Sequence, residues 1–296
     1  GRLAVRAGDG VGEVLVRIDR PVARVPQLAI HLDRGVNEKG LVLNPHIHLS
    51  PITGLGEAEQ GAFLAEVADT AGVSAADVLG FDLMLHDLAP ATLAGTSREF
   101  VSAPRIDNLL SCHAAVDALC AARDDTGGPT PIVVLYDHEE VGSTSATGAG
   151  SPLLRSLLER LLDGASPDFG ASLACSVDGA HAIHPNYADR HDAQHVVHLG
   201  GGPVLKFNAS QRYATDAPGA AQVRLAAERC GVPLQSYSHR ADLPCGSTVG
   251  PITAAVTGLP TVDLGAPQLA MHSARELCAS SDPRMLQVLL VELLGT

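Results

Sequence analysis

Residues 131–143 read PIVVLYDHEEVGS. A run of apolar residues, Pro131 to Leu135, is followed at once by Tyr136, Asp137, His138, Glu139 and Glu140. A short, wholly apolar run reads as a strand buried on both faces, the kind that helices cover in layered α/β folds. Open α/β sheets bind ligands beyond the carboxyl ends of their strands. The run at 131–136 is therefore expected to be a core strand, with the Glu139–Glu140 pair at its end.

Outward from this point, strands and helices alternate. The pattern predicts helices over 109–122, 152–163, 216–230, 249–257 and 284–294. It predicts apolar strands over 172–177, 204–208 and 260–264. Such alternation argues for an α/β layered domain. The first hundred residues differ. Leu3–Arg6 and Val14–Ile18 are short β-prone runs separated by glycines. QLAIHL (27–32), HIHLSPI (46–52) and FDLMLHDL (81–88) read as further strands. A helix is expected over 57–71. A second, short one starts at Ser74, with Asp77 placed as in a capping box. The character changes after Gly95. The reading is a β-rich domain over 1–97 and an α/β domain over 98–296.

Composition narrows the function classes. Of 296 residues, 46% are hydrophobic and 18% charged, enough apolar content for a folded core. The formal net charge is −13 and there is no tryptophan, which argues against a nucleic-acid partner. No apolar stretch is long enough to span a membrane, and no export signal is visible. Cys112, Cys120, Cys175, Cys230, Cys245 and Cys278 lie far apart, without paired metal-ligand spacing. They read as reduced thiols of a cytoplasmic protein.

Acidic residues and histidine gather just after the apolar strands: Glu139 and Glu140 after 131–136, Asp178 after 172–177, and His272 a loop beyond 260–264. Asp107 precedes a helix. One such residue is ordinarily a cap or a solvated loop residue. Together, carboxylate and imidazole donors suit zinc, manganese or cobalt. Two close metals sharing a carboxylate would polarise water, and a neighbouring carboxylate would serve as base. On this reading one glutamate of the pair binds metal and the other moves a proton.

Six segments carry a resemblance: APRIDNLLSC (103–112), LYDHEEVGSTSATGAGS (135–151), SVDGAHAIHPNY (176–187), GGPVLKFNASQRYAT (201–215), DLPCGSTVGPI (242–252) and DLGAPQLAMHSARE (263–276). They resemble the aspartyl aminopeptidases, the M18 family of dinuclear zinc exopeptidases. QLAIHLDRGVNEKG (27–40) is similar to that family's inserted oligomerisation domain. The resemblance implies a zinc-peptidase-type catalytic domain with a mixed sheet between helices, and two Zn2+ per site, Mn2+ or Co2+ being compatible. Asp107 is implied to bridge the metals, Asp178 and Glu140 to bind one each, and His272 to bind with Glu140. Glu139 is the implied general base. His31 is implied to reach the reacting carbonyl of a partner subunit, the alternative being an ordinary solvent-facing strand histidine. Lys206, inside the apolar strand VLKF, is implied to attract the carboxylate of an acidic N-terminal residue. A lysine snorkelling to the surface is the other reading. His181, His184 and Tyr213 are further substrate-pocket candidates, with Arg212 weaker.

The expected function is removal of an N-terminal Asp or Glu from peptides by a dimer-based homo-oligomer, a dodecamer in the family. Two alternatives stay open: a metallohydrolase of other specificity, and a non-catalytic assembly or cargo protein. The family's His-x-Asp segment upstream of the inserted domain has no counterpart in this sequence. The chain is accordingly expected to lack a metal ligand and a strand, and to be poorly active alone.

Overall fold

The computed structural model describes residues 1–57, 59–122, 129–163, 168 and 171–295. They form two compact units, Gly1–Leu88 and Ala89–Thr296. In the first, β1 (Arg2–Ala7) and β2 (Gly10–Leu15) form a hairpin whose two-residue turn opens on Gly8 at φ +58°, a left-handed position that suits glycine. β1 also pairs with β3 (Val78–Asp82), giving the antiparallel order β2-β1-β3. Leu3, Val5 and Val16 form a small core with Val67 of a helix introduced below.

Three expectations for this unit fail. QLAIHL (27–32) forms no strand; residues 30–32 lie in a turn. HIHLSPI (46–52) begins as helix. Single helical turns occur at α1 (Val36–Lys39) and α2 (Pro45–His48), and the Asn44 side chain accepts the His46 N–H with proline in the first turn. An Asn-Pro start is a helix signal that outweighs the apolar alternation. FDLMLHDL (81–88) supplies only the last two residues of β3, because pairing with β1 runs from Val78 to Asp82. The helix α3 (Ala62–Thr70) lies within the span expected at 57–71, of which residue 58 lies outside the described residues. Ala75–Asp77 forms a single 3-10 turn, and the Ser74 hydroxyl accepts the Ala76 N–H.

The second unit carries a seven-stranded mixed sheet. Its elements are β4 (Thr92–Ala94), β5 (Phe100–Ala103), α4 (Ile106–Ala121), α5 (Leu153–Leu161), β6 (Ala174–His181), β7 (Val204–Phe207), α6 (Ala217–Cys230), β8 (Gln235–Ser238), α7 (Val249–Thr257), β9 (Thr261–Leu269), β10 (Glu276–Ala279) and α8 (Asp282–Leu294). β9 is the hub: parallel to β6 along eight residues, antiparallel to β7 and to β10. Gly265 of β9 lies opposite Asp178; a Cβ there would meet the Asp178 carbonyl oxygen at 2.2 Å, so the register needs glycine. Ala114 and Ala118 of α4, Val223 and Ala226 of α6, and Leu286 and Leu289 of α8 close over Leu205, Val262 and Leu264. Small residues on α4 and α6 let these helices approach the sheet closely. α6 starts at Asp216, whose carboxylate accepts the Gly219 N–H, and stops at Gly231 at φ +68°.

The run that opened the sequence reading, 131–136, is not part of this sheet. It forms no strand, since no ladder partner lies beside it among the described residues. Apolar content makes a segment able to be a strand; hydrogen bonds from a neighbour make it one. The sheet unit begins at Ala89, upstream of the boundary placed at 97/98, because β4 pairs with β5.

Candidate functional site

The acidic residues converge in the second unit. Asp107 opens α4, just after β5. Glu139 and Glu140 form a 3-10 turn, and His272 follows β9 in the loop to β10. His272 Nε2 lies 3.2 Å from Asp107 Oδ2 and 3.2 Å from Glu140 Oε2. One ligand atom from each of the three lies within 4.8 Å of the others. Asp178 is the next neighbour. It sits inside β6, which continues to His181, and not at the end of its strand as expected. Its carboxylate accepts the Gly179 N–H at 2.8 Å.

The electrostatics of this group are those of a cation site. Burial pushes the Asp107 carboxyl up to about 8, and the charges of Asp178, Glu140 and Glu276 and the hydrogen bond that protonated Asp107 donates to Asp178 add to it. Burial likewise raises Glu139 to about 7, with Asp178 and Glu140 adding to the rise and Lys206 and His272 opposing it. Carboxylates so crowded repel one another, and a bound cation reverses the sign of that interaction. Oxygen and imidazole donors at this spacing fit zinc. The residues therefore suit the metal that the sequence resemblance implies.

One cleft joins these groups to a second set. Asp107, Glu139, Glu140, Asp178 and His272 line it together with His181, Lys206, Tyr213, Ser247, Thr248 and Met271. Lys206 does not snorkel: it is 2% exposed, and its Nζ donates to the Gly179 carbonyl oxygen at 3.0 Å. The ammonium also stands 5.2 Å from the centre of the buried Tyr213 ring. His181 is held neutral, its pKa lowered to about 4 by loss of hydration and by the nearby His239 and Lys206. His184 is not among the lining residues; its Nδ1 accepts the Asn186 N–H and its ring packs edge-on against Tyr187. Arg212 likewise does not line the cleft. His31 belongs to the first unit, exposed in a turn rather than in a strand.

Two buried carboxylates that the sequence reading passed over organise this site. Asp263 is fully buried and accepts the Ala214 N–H and the Thr248 hydroxyl, which fixes the two loops carrying Tyr213 and Ser247. Glu276, 2% exposed, accepts the Asp107 N–H at 2.9 Å and the His272 N–H at 2.7 Å. Asp263 is a charge among the apolar residues of β9, the kind of signal that drew notice to Lys206, whereas Glu276 opens β10 and carries no such mark in the sequence.

A sequence profile described as aminopeptidase I zinc metalloprotease (M18) matches residues 1–292. A probable M18 family aminopeptidase 2 of Mycobacterium bovis is 52% identical over 95% of this chain and 67% of its own length. One from Streptomyces avermitilis is 48% identical over 99% and 70%. Among solved structures, the cryo-EM structure of an Ape4–Nbr1 complex superposes with a TM-score of 0.88 at 35% identity, over 99% of this chain and 62% of that one. The S. cerevisiae mApe1 dodecamer gives 0.79 at 28% identity, over 99% and 67%. The chain thus spans about two thirds of the length of the relatives it matches. With its sequence matched nearly end to end and its fold shared with solved members, this chain belongs to the M18 peptidase family, the aminopeptidase I zinc metalloproteases.

Proposed function

We propose that the chain carries the greater part of the catalytic machinery of an aminopeptidase that removes N-terminal acidic residues from peptides. The observation that supports this best is the meeting of Asp107, Glu140 and His272 in one cleft with Glu139 beside them and the buried Lys206 across from them. Asp107, Glu140 and His272 would hold one zinc ion. Asp178, hydrogen-bonded to Asp107, would share Asp107 with a second. When bound, zinc supplies Lewis acidity that polarises the peptide carbonyl. Glu139 takes a proton from the attacking water and returns it to the leaving amine. A half-buried carboxylate beside the proposed metal ligands is placed for both halves of that exchange. Lys206 faces the side-chain pocket, where a partly dry ammonium attracts a carboxylate. The neutral His181 stands as a hydrogen-bond partner for substrate.

The assembly is a homo-oligomer, built like the dodecamer known for a relative. Leu28, Ile30, Leu32, Leu41, Val42, Leu43, Ile47 and Leu55 are exposed within thirty residues of the first unit, an apolar surface that a second copy would cover. In that assembly His31 would act at a partner's site. Free cysteines fit a reducing compartment, the cytoplasm. No described helix is long and apolar enough to cross a membrane. The test is hydrolysis of Asp-, Glu- and Leu-nitroanilides by the zinc-loaded oligomer. The reading expects Asp and Glu substrates to be cleaved preferentially. Zinc binding without any hydrolysis, by protein extended to the full length of its relatives, would favour the non-catalytic assembly alternative.

A further inference from the structure

We infer that Glu276 is a positioning residue: its buried carboxylate clamps the backbones of Asp107 and His272 so that their side chains meet at one metal. The inference rests on the metal centre proposed above.

Asp107 and His272 come from different parts of the fold. Asp107 follows β5 and opens α4, while His272 lies in the turn after β9. Nothing in a single helix or strand fixes their separation. Glu276 stands between them, at the first residue of β10, paired with Ala103 of β5. One carboxylate oxygen accepts the Asp107 N–H at 2.9 Å, and the other accepts the His272 N–H at 2.7 Å. Each oxygen therefore serves one ligand residue, and one planar group sets the distance between the two backbones.

The backbone of the turn needs such a hold. His272 has φ +67° and Ala270 φ +55°, left-handed conformations that residues with a Cβ adopt only when their surroundings impose them. The His272 N–H bond to Glu276 is one restraint. Arg275, in the same turn, supplies another by donating to the carbonyl oxygens of Ala89, Pro90 and Ser102. Glu276 is the only one of these whose other oxygen reaches a second proposed ligand. Partners that orient metal ligands in this way commonly change metal affinity about 10- to 100-fold when removed.

The substitution Glu276→Gln tests this with little change of volume. An amide has one acceptor oxygen, so it can satisfy one N–H and must turn its NH2 toward the other. Zinc affinity is measured by competition with a chromophoric chelator, and ligand geometry by the visible spectrum of the Co2+-substituted protein. E276Q is expected to bind zinc about 10- to 100-fold more weakly and to show shifted cobalt bands. Asp282→Asn removes another buried carboxylate, one that holds the Gly200 N–H instead, and is expected to stay within about twofold of wild type. Equal affinity and an unchanged spectrum in E276Q, or an equal loss in D282N, would overturn the inference. Absence of zinc binding in the wild type would instead remove the metal centre itself. Should E276Q not fold, amide hydrogen exchange of the metal-free wild type decides. Protection of both the Asp107 and His272 amides is expected, and fast exchange at either overturns the clamp.

Discussion

Replacing Lys206 by methionine separates charge from packing. The lysine stem is buried in β7, and methionine fills nearly the same volume without the ammonium. Among the described residues its Nζ makes one hydrogen bond, to the Gly179 carbonyl oxygen, and has donor capacity left over. A substrate carboxylate would take that capacity. A hydrogen bond involving a charged group contributes about 1.5–3 kcal/mol, so losing it lowers kcat/KM for an Asp substrate roughly 10- to 150-fold. A Leu substrate makes no such bond and should be cleaved as before or better. The assay is the ratio of kcat/KM values for Asp- and Leu-nitroanilide on the assembled, zinc-loaded protein. A cooperative thermal melt of the variant controls for folding, with the midpoint lowered to the extent that the Gly179 carbonyl and the nearby carboxylates lose their cation. A parallel loss on both substrates would refute the role of the charge, as would an unchanged ratio.

Other outcomes follow from the same geometry. Glu139→Gln is expected to cut kcat by about 10²- to 10⁴-fold while zinc affinity stays close to wild type, which equilibrium dialysis checks beside the kinetics. Leu264→Ala empties a fully buried site in the main core and should cost about 2–5 kcal/mol in urea unfolding. His181 is held neutral to about 4 when folded, against an ordinary value of 6.5. Between those values the unfolded chain binds the proton and the folded one does not. Wild type should therefore lose stability relative to His181→Gln as pH falls through that window, and match it in pH dependence above 7, as followed by thermal melting.

Much of the second unit was legible because its signals are local. The apolar strands expected at 172–177, 204–208 and 260–264 and the capped helix at 216–230 follow from composition and end residues alone, and β6, β7, α6 and β9 overlap them. The polar strand β8, QSYS, has no apolar pattern, and it exists because β7 offers it a parallel edge. β6 and β9 outrun their apolar stretches for the same reason, each being paired with the other through Asp178 and Gly265. At 131–136 the logic runs backwards: strong propensity, no partner among the described residues, no strand. The site residues were legible by type, since carboxylates and histidine after strands are conspicuous. Their separations were not, because these depend on turns such as 270–275. Glu276 was missed because its role is visible only once both of its backbone partners are placed. Residues 27–32 and 46–52 were the hardest: their apolar side chains alternate as in strands, yet Leu28, Ile30, Leu32, Ile47 and Ile52 remain exposed and the segments form no strand.

The most direct test of the account is the zinc content of the purified, dialysed protein beside that of His272→Ala. The geometry of Asp107, Glu140 and His272 predicts zinc in stoichiometric amount in the wild type and its loss in the variant. Wild-type protein without zinc, or equal zinc in both, would contradict the proposal that this cleft is a metal centre.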